Sequence, residues 1–224
     1  MSSITPTVSV VVPTFNRPRR LARAIESMSE DIELIVIDDG SSRETSEVVK
    51  ACRHPRLRYA RKANGGPASA RNLGIQMATT PMIAFTDDDC IPLGGWPWPL
   101  ARRIQLEGVH VAGAGGRVVS ARDDIISRYC TYHRILEPPP SVSYLVTANC
   151  LFRRGALLEV GGFDERLRSP GGEDPDLSIR LRNRGYCLVY EPNAIVAHEF
   201  RNSLIDFART FYRYGRGCSL VLGK

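Results

Sequence analysis

Apolar positions along the chain come in short unbroken runs, separated by polar turns and by longer stretches with helical spacing. Val8 to Val12 is a β-branched run stopped by Pro13, and a polar turn, Thr14 to Arg17, leads into a helix-like segment from Pro18 through Met28. Glu33 to Ile37 repeats the pattern as ELIVI, with Asp38-Asp39-Gly40-Ser41-Ser42 as its loop and a helix over Glu44 to Cys52. A shorter strand, Leu57 to Ala60, passes through Asn64-Gly65-Gly66-Pro67 into a helix beginning near Ala68. A fourth run, from Met82, ends abruptly in Asp87, Asp88 and Asp89. Strands that are apolar on both faces need cover on both faces, which right-handed βαβ crossovers supply. The pattern therefore predicts an α/β fold on a mainly parallel, Rossmann-like central sheet flanked by helices.

Beyond the acidic run the regularity weakens. A helix over Leu100 to Leu106 follows the turn-rich patch Gly94 to Pro99. Val109 to Val111 and Arg117 to Val119 read as short strands around a glycine cluster. After Pro138-Pro139-Pro140, Ser143 to Phe152 reads as one or two strands, and Asp176 to Arg184 as a helix opened by Pro175 and closed by Gly185. Leu204, Phe207, Ala208 and Phe211 recur at helical spacing, with Arg209, Arg213 and Arg216 on another side. Such a basic amphipathic helix suits docking on the rest of the chain, pairing with a second copy in a homodimer, or peripheral contact with an anionic membrane. We expect one domain over residues 1–224, with a nucleotide-type half to about residue 92 and an acceptor half from about residue 93 on the same sheet.

Composition changes this picture little. At 43% hydrophobic and 24% charged, the 224 residues describe an ordinary globular protein with ample chain for a core. A formal charge of +6 permits phosphorylated ligands, and as the only sign of nucleic-acid binding it leaves that class out of our expectations. Six scattered cysteines without a C-x-x-C pair suggest reduced thiols. MSSITPTVSVVVP lacks the features of a signal peptide, and no apolar run approaches the ~20 residues of a membrane span. The expected location is the cytoplasm, with the inner membrane face as the alternative.

The chemistry concentrates in carboxylates. Strands of open α/β sheets present ligands at their carboxyl ends, so Asp87, Asp88 and Asp89 are expected at a sheet edge. Alternation along an extended segment would put Asp87 and Asp89 on one face and Asp88 on the other. A D-x-D pair of hard oxygens suits Mg2+ or Mn2+, with substrate phosphates completing the coordination; an acidic turn without a ligand is the plain alternative. Glu173-Asp174 forms a second acidic pair at a helix start, where the macrodipole alone would favour it. Trp96 suits either stacking on a sugar ring or filling a gap beneath its loop.

The order PTFNR, IDDGSS, NGGPASARNLG, FTDDDCIP, VGGFDE and GGEDPDLSIRLRNRGY, from about Val8 to Tyr214, resembles the family-2 glycosyltransferases, inverting enzymes of the GT-A fold. The resemblance implies a nucleotide-diphosphate sugar donor, a hydroxyl-bearing acceptor and a divalent cation. It implies that Pro13, Thr14, Phe15 and Asn16 line the donor's base and ribose, that Asp39 pairs with a ring N–H of the base, and that Arg71 lies near the base and diphosphate. Asp87 and Asp89 would bind the ion, Asp88 would reach the ribose, and His198 would add a metal ligand. Asp174 would be the catalytic base and Glu173 the neighbour that orients the acceptor, with Asn149 and Arg153 lining the acceptor pocket. A nucleotidyltransferase and a catalytically silent sugar-nucleotide-binding module are the competing classes. The former is disfavoured because no glycine-rich, lysine-bearing phosphate loop follows the first strand.

Overall fold

The computed structural model describes residues 8–168, 170–201 and 203–222; residues 1–7, on which the reading against a signal peptide partly rests, and Gly223-Lys224 lie outside them. The first half follows the expected rhythm: β1 (Val8–Thr14), α1 (Pro18–Glu26), β2 (Glu33–Asp38), α2 (Arg43–Ala51), β3 (Leu57–Arg61), α3 (Pro67–Met77) and β4 (Met82–Phe85). Strands β1, β2 and β4 are buried along nearly their whole length, the environment their unbroken Val, Ile and Leu runs demand. Pro13 does not end β1 as expected. Past Val11 the strand has only β2 alongside, so a missing N–H is tolerated there.

The second half comprises β5 (Cys90–Pro92), α4 (Trp98–Glu107), β6 (Val111–Ser120), α5 (Ile125–Tyr132), β7 (Cys150–Arg153), α6 (Arg154–Glu159), α7 (Glu173–Asn183), β8 (Cys187–His198) and α8 (Leu204–Leu222). All eight strands form one sheet in the order β3-β2-β1-β4-β7-β6-β8-β5. It is parallel from β3 to β4 and mixed beyond, because β7 runs antiparallel to both β4 and β6. Two apolar layers cover its faces, one under α1 and α4 and the other under α3 and α7.

Three expectations for this half change. The glycine cluster does not separate two strands but lies within β6. A Cβ at Gly116 would meet Ala194 O at 2.4 Å and the Asn149 amide at 2.5 Å, so the crowding of β8 and Asn149 requires glycine in mid-strand. Only Cys150–Arg153 of the stretch from Ser143 is strand. The preceding backbone turns to side chains of α7 instead: Leu145 N–H donates to Ser178 Oγ at 3.1 Å and Thr147 N–H to Asp174 Oδ2 at 3.0 Å. Helices α5 and α6 were not expected. α5 carries its own cap, since Asp124 Oδ1 accepts from Ser127 N–H at 3.0 Å.

Candidate active site

The carboxyl ends of β1, β2 and β4 meet the start of α7, the end of β8 and one face of α8 around a cavity of about 440 Å³. Pro13, Thr14, Phe15, Asp39, Arg71, Asp87, Asp88, Asp89, Glu173 and His198 all line it, so residues up to 185 positions apart in the chain converge there.

The acidic run is a turn rather than an extended segment, closed by the Cys90 N–H donating to Asp87 O at 3.1 Å. The expected alternation fails for that reason. Asp88 and Asp89 share one partner, Arg17, whose Nη1 donates to Asp88 Oδ1 at 2.9 Å and to Asp89 Oδ2 at 2.8 Å. Thr14 Oγ1 also donates to Asp88 at 2.8 Å, and Arg20 to Asp89 at 3.3 Å. Asp87 turns instead to Arg71, whose Nη2 lies 2.9 Å from Oδ1. β5 pairs Cys90 with His198, which brings the His198 Nε2 to 3.3 Å from Asp89 Oδ1; the other ring nitrogen is buried without a hydrogen-bond partner. Burial raises the proton affinity of Asp89, but His198, Arg17 and Arg20 outweigh it and hold the carboxyl well below the usual range. Asp88 is pushed up to about 6, by burial first and by the charge of Asp89 second, against Arg17 and Thr14.

In the second loop the two aspartates divide their work. Asp38 supports the loop, accepting from Ser41 N–H at 2.7 Å and Tyr59 O–H at 2.7 Å. Asp39 faces the cavity but is itself well bound, accepting from Gly65 N–H, Gly66 N–H and Lys62 Nζ at 2.8–2.9 Å. Asn16 does not line the cavity. With φ of 54° it ties the first loop to the second, its N–H donating to Ser41 Oγ and its Oδ1 accepting from Ser42 N–H.

Arg71 joins the acidic turn to the second acidic pair. Its guanidinium is buried and also donates to Glu173 Oε1 at 3.2 Å. Burial works against its charge, but Asp87, Asp174 and Glu173 prevail and raise its pKa further. The other oxygen of Glu173 accepts from the N–H groups of Gly171 and Gly172, leaving Glu173 fully engaged. Asp174 lies behind it and does not line the cavity. Thr147 N–H and O–H both donate to Asp174 Oδ2, at 3.0 and 3.2 Å, while Oδ1 is buried with no hydrogen-bond partner among the described residues. Burial, and next the neighbouring charge of Glu173, raise Asp174 to about 7 despite Arg71 and the Thr147 hydrogen bonds. Asp176 pairs with Arg180 within α7.

α8 lies directly on the turn before this pair. A Cβ at Gly172 would sit 2.6 Å from Gly217 O, and Cys218 Sγ donates to Gly171 O at 3.2 Å. The basic amphipathic helix thus docks on the body of the protein, and no helix among the described residues is long and apolar enough to cross a membrane.

The three residues expected at an acceptor pocket are not brought to the cavity. Trp96 is 3% exposed and fills space beneath its loop, donating Nε1–H to Asn149 Oδ1 at 2.7 Å. Asn149 spends its amide N–H groups on Arg117 O and Ala194 O, both at 2.8 Å, splicing β6, β7 and β8. Arg153 pairs with Met82, at the opposite end of β4 from the acidic turn, and binds the carbonyls of Ile104, Gly108 and Val111. In contrast, Arg17, Arg20, Arg201, Arg213 and Tyr214 shape the site and were missed. The run Arg17-Pro18-Arg19-Arg20 after the first strand was the available signal for the first two.

The family model described as "Glycosyl transferase family 2" matches residues 9–161, and a second, "Glycosyl transferase family group 2", matches residues 116–224. The chain belongs to glycosyl transferase family 2. This family-2 member is 36% identical over 222 residues to the pre-mycofactocin glycosyltransferase of Mycobacterium tuberculosis, covering 93% of its own length and 46% of that relative. It thus spans about half the length of that curated relative. The structure of Staphylococcus aureus TarS 1–349 superposes with a TM-score of 0.69 at 18% identity, over 96% of this chain and 65% of that one. GalNAc-T7 with UDP, GalNAc and Mn2+ superposes with a TM-score of 0.68 at 19% identity, over 87% of this chain and 43% of that one. The expected GT-A fold is borne out.

Proposed function

We propose that this family-2 member moves a sugar from a nucleotide-diphosphate donor to an acceptor hydroxyl in one inverting displacement, with a divalent cation at the acidic turn and Asp174 as base. One observation carries the reading: Arg71 ties Asp87, at the expected donor side, to Glu173, beside the expected base, inside a single cavity. The neighbour GalNAc-T7, solved with UDP, GalNAc and Mn2+, supports a nucleotide-sugar donor and a metal.

The residues present fit such an ion. Asp89 and His198 offer a carboxylate oxygen and a ring nitrogen, and with Cys90 their ligand atoms lie within 4.8 Å of one another. The buried Cys90 thiol, whose pKa burial pushes well above the ordinary value, suits a hard cation poorly, so Asp89 and His198 would hold it, with Asp87 facing the same space. When bound, the ion would neutralise charge developing on the leaving diphosphate.

The remaining work falls to the chain's own groups. Thr147 fixes one oxygen of Asp174, and the unpartnered oxygen takes the proton of the acceptor hydroxyl. The acceptor oxygen then bonds to the anomeric carbon opposite the diphosphate, which departs with the electron pair. Arg71 holds Glu173 in place beside the base.

A thermal-shift screen of UDP-, GDP- and dTDP-sugars with and without manganese tests the reading. One donor should raise the melting temperature in a manganese-dependent way; no shift with any of them would count against the site as drawn.

A further inference from the structure

Resting on that reading, we propose that the acceptor is an amphiphile, with an apolar chain seated between α5 and α8 and a phosphate-class anion held by Arg201 and Arg213.

The cavity has two unlike walls. One part of its lining is acidic, the turn at residues 87–89 and Glu173, whereas another is carbon: Ile126 and Cys130 from α5, Leu136 after it, Phe200, and Phe207 and Phe211 from α8. Aromatic contacts make that wall continuous. Tyr129 of α5 meets Phe207 edge-on at 5.7 Å, and Phe207 meets Phe211 at 4.5 Å. Sugar hydroxyls placed there would lose water without gaining hydrogen-bond partners, while a hydrocarbon chain would lose nothing by leaving water. The apolar character continues outwards onto the surface, where Ile125 and Tyr132 are each 82% exposed and Leu204 is 72% exposed.

Charge complementarity supplies the other end. Arg17 and Arg20 line or border the cavity but are neutralised by Asp88, Asp89 and Glu199. Arg201 and Arg213 also line it, and among the described residues neither has a carboxylate at ion-pair distance; Arg213 meets only Thr210 Oγ1, at 3.1 Å. Burial first, then the like charges of Arg17, Arg20 and Arg213, lower the Arg201 pKa, the condition an incoming anion would relieve. These two cations line the same cavity as the carbon wall and the acidic residues, so one ligand could offer an anion to the former, a chain to the second and a hydroxyl to the last.

Calorimetric titration of the protein with farnesyl phosphate below its micelle concentration, with farnesol, inorganic phosphate and UDP plus manganese as separate arms, tests this. Farnesyl phosphate should bind at least about tenfold more tightly than farnesol or inorganic phosphate. Phe211→Asp and Arg213→Gln, both at exposed positions and checked by melting curves, should each weaken farnesyl phosphate by about tenfold and leave UDP affinity within about twofold. Farnesyl phosphate no tighter than inorganic phosphate, or indifferent to Phe211→Asp, would overturn the chain seat. Displacement of farnesyl phosphate by UDP would assign the two arginines to the donor diphosphate and overturn the anion site. Failure of UDP to bind while farnesyl phosphate does would instead sink the transferase reading and leave the amphiphile seat standing.

Discussion

The turn at Asp87-Asp88-Asp89 and the helix start at Glu173-Asp174 are both runs of adjacent carboxylates at one site, but their surroundings shift Asp89 and Asp174 in opposite directions. At the turn, Arg17, Arg20 and His198 stand against Asp89, which is held well below the ordinary carboxylate range. At the helix start only Arg71 reaches the pair. It is already shared with Asp87, and Asp174 rises to about 7. The same side chain is thus held strongly acidic in one place and raised towards neutrality in the other, and the difference lies in the groups folded against it.

The sharpest way to break this contrast is to remove the titrating group. Asp174→Asn should lower sugar transfer by about 10²–10⁴-fold while leaving donor affinity nearly unchanged, measured by product formation and by donor titration. Undiminished transfer would take Asp174 out of the mechanism. The matching change at the turn, Asp89→Asn, should weaken manganese-dependent donor binding by roughly 10–100-fold. Equal donor affinity in the two proteins, with manganese present, would show that the turn holds no ion.

Acidity separates the clusters more gently. With Asp174 near 7, transfer should fall about tenfold per pH unit once the pH drops well below that value, because the proton-bound form cannot act as base. A rate constant level down to pH 5 would contradict the assignment. The smallest effect is on stability. A carboxyl whose pKa is raised on folding contributes fully below its unfolded pKa, near 4, and loses that contribution as the pH rises through its folded value. Asp174→Asn should therefore melt above wild type at pH 8, by roughly 2–4 °C for each kcal/mol relieved, and the gap should close near pH 4. A variant that melts lower at pH 8 would show that the charged form is stabilised by its surroundings.

How much of this was legible in the sequence depends on the range of the contacts involved. β1, β2 and β4 were readable because double-sided burial writes itself as continuous apolar runs. The acidic positions were readable as letters, but their directions were not. Alternation assumes extended backbone, and a single hydrogen bond from Cys90 to Asp87 makes the segment a turn. The acceptor-side expectations for Trp96, Asn149 and Arg153 misplaced residues whose donors and acceptors are consumed by groups dozens of positions away, which no local pattern encodes. The same distance hid the convergence of Arg17 with Asp88, 71 residues on. α5 escaped notice because its exposed face carries Ile125 and Tyr132, which blurs the polar side of an amphipathic pattern.

Arg71 has a consequence for recombination between relatives. Its one guanidinium spans 16 residues of sequence to Asp87 and 102 to Glu173, inside the protein and away from water. A chimera joined near residue 92 would inherit the cation from one parent and Glu173 from the other. Exchangeable donor and acceptor modules would need all three positions to travel as a set, or a buried charge would be stranded at the join.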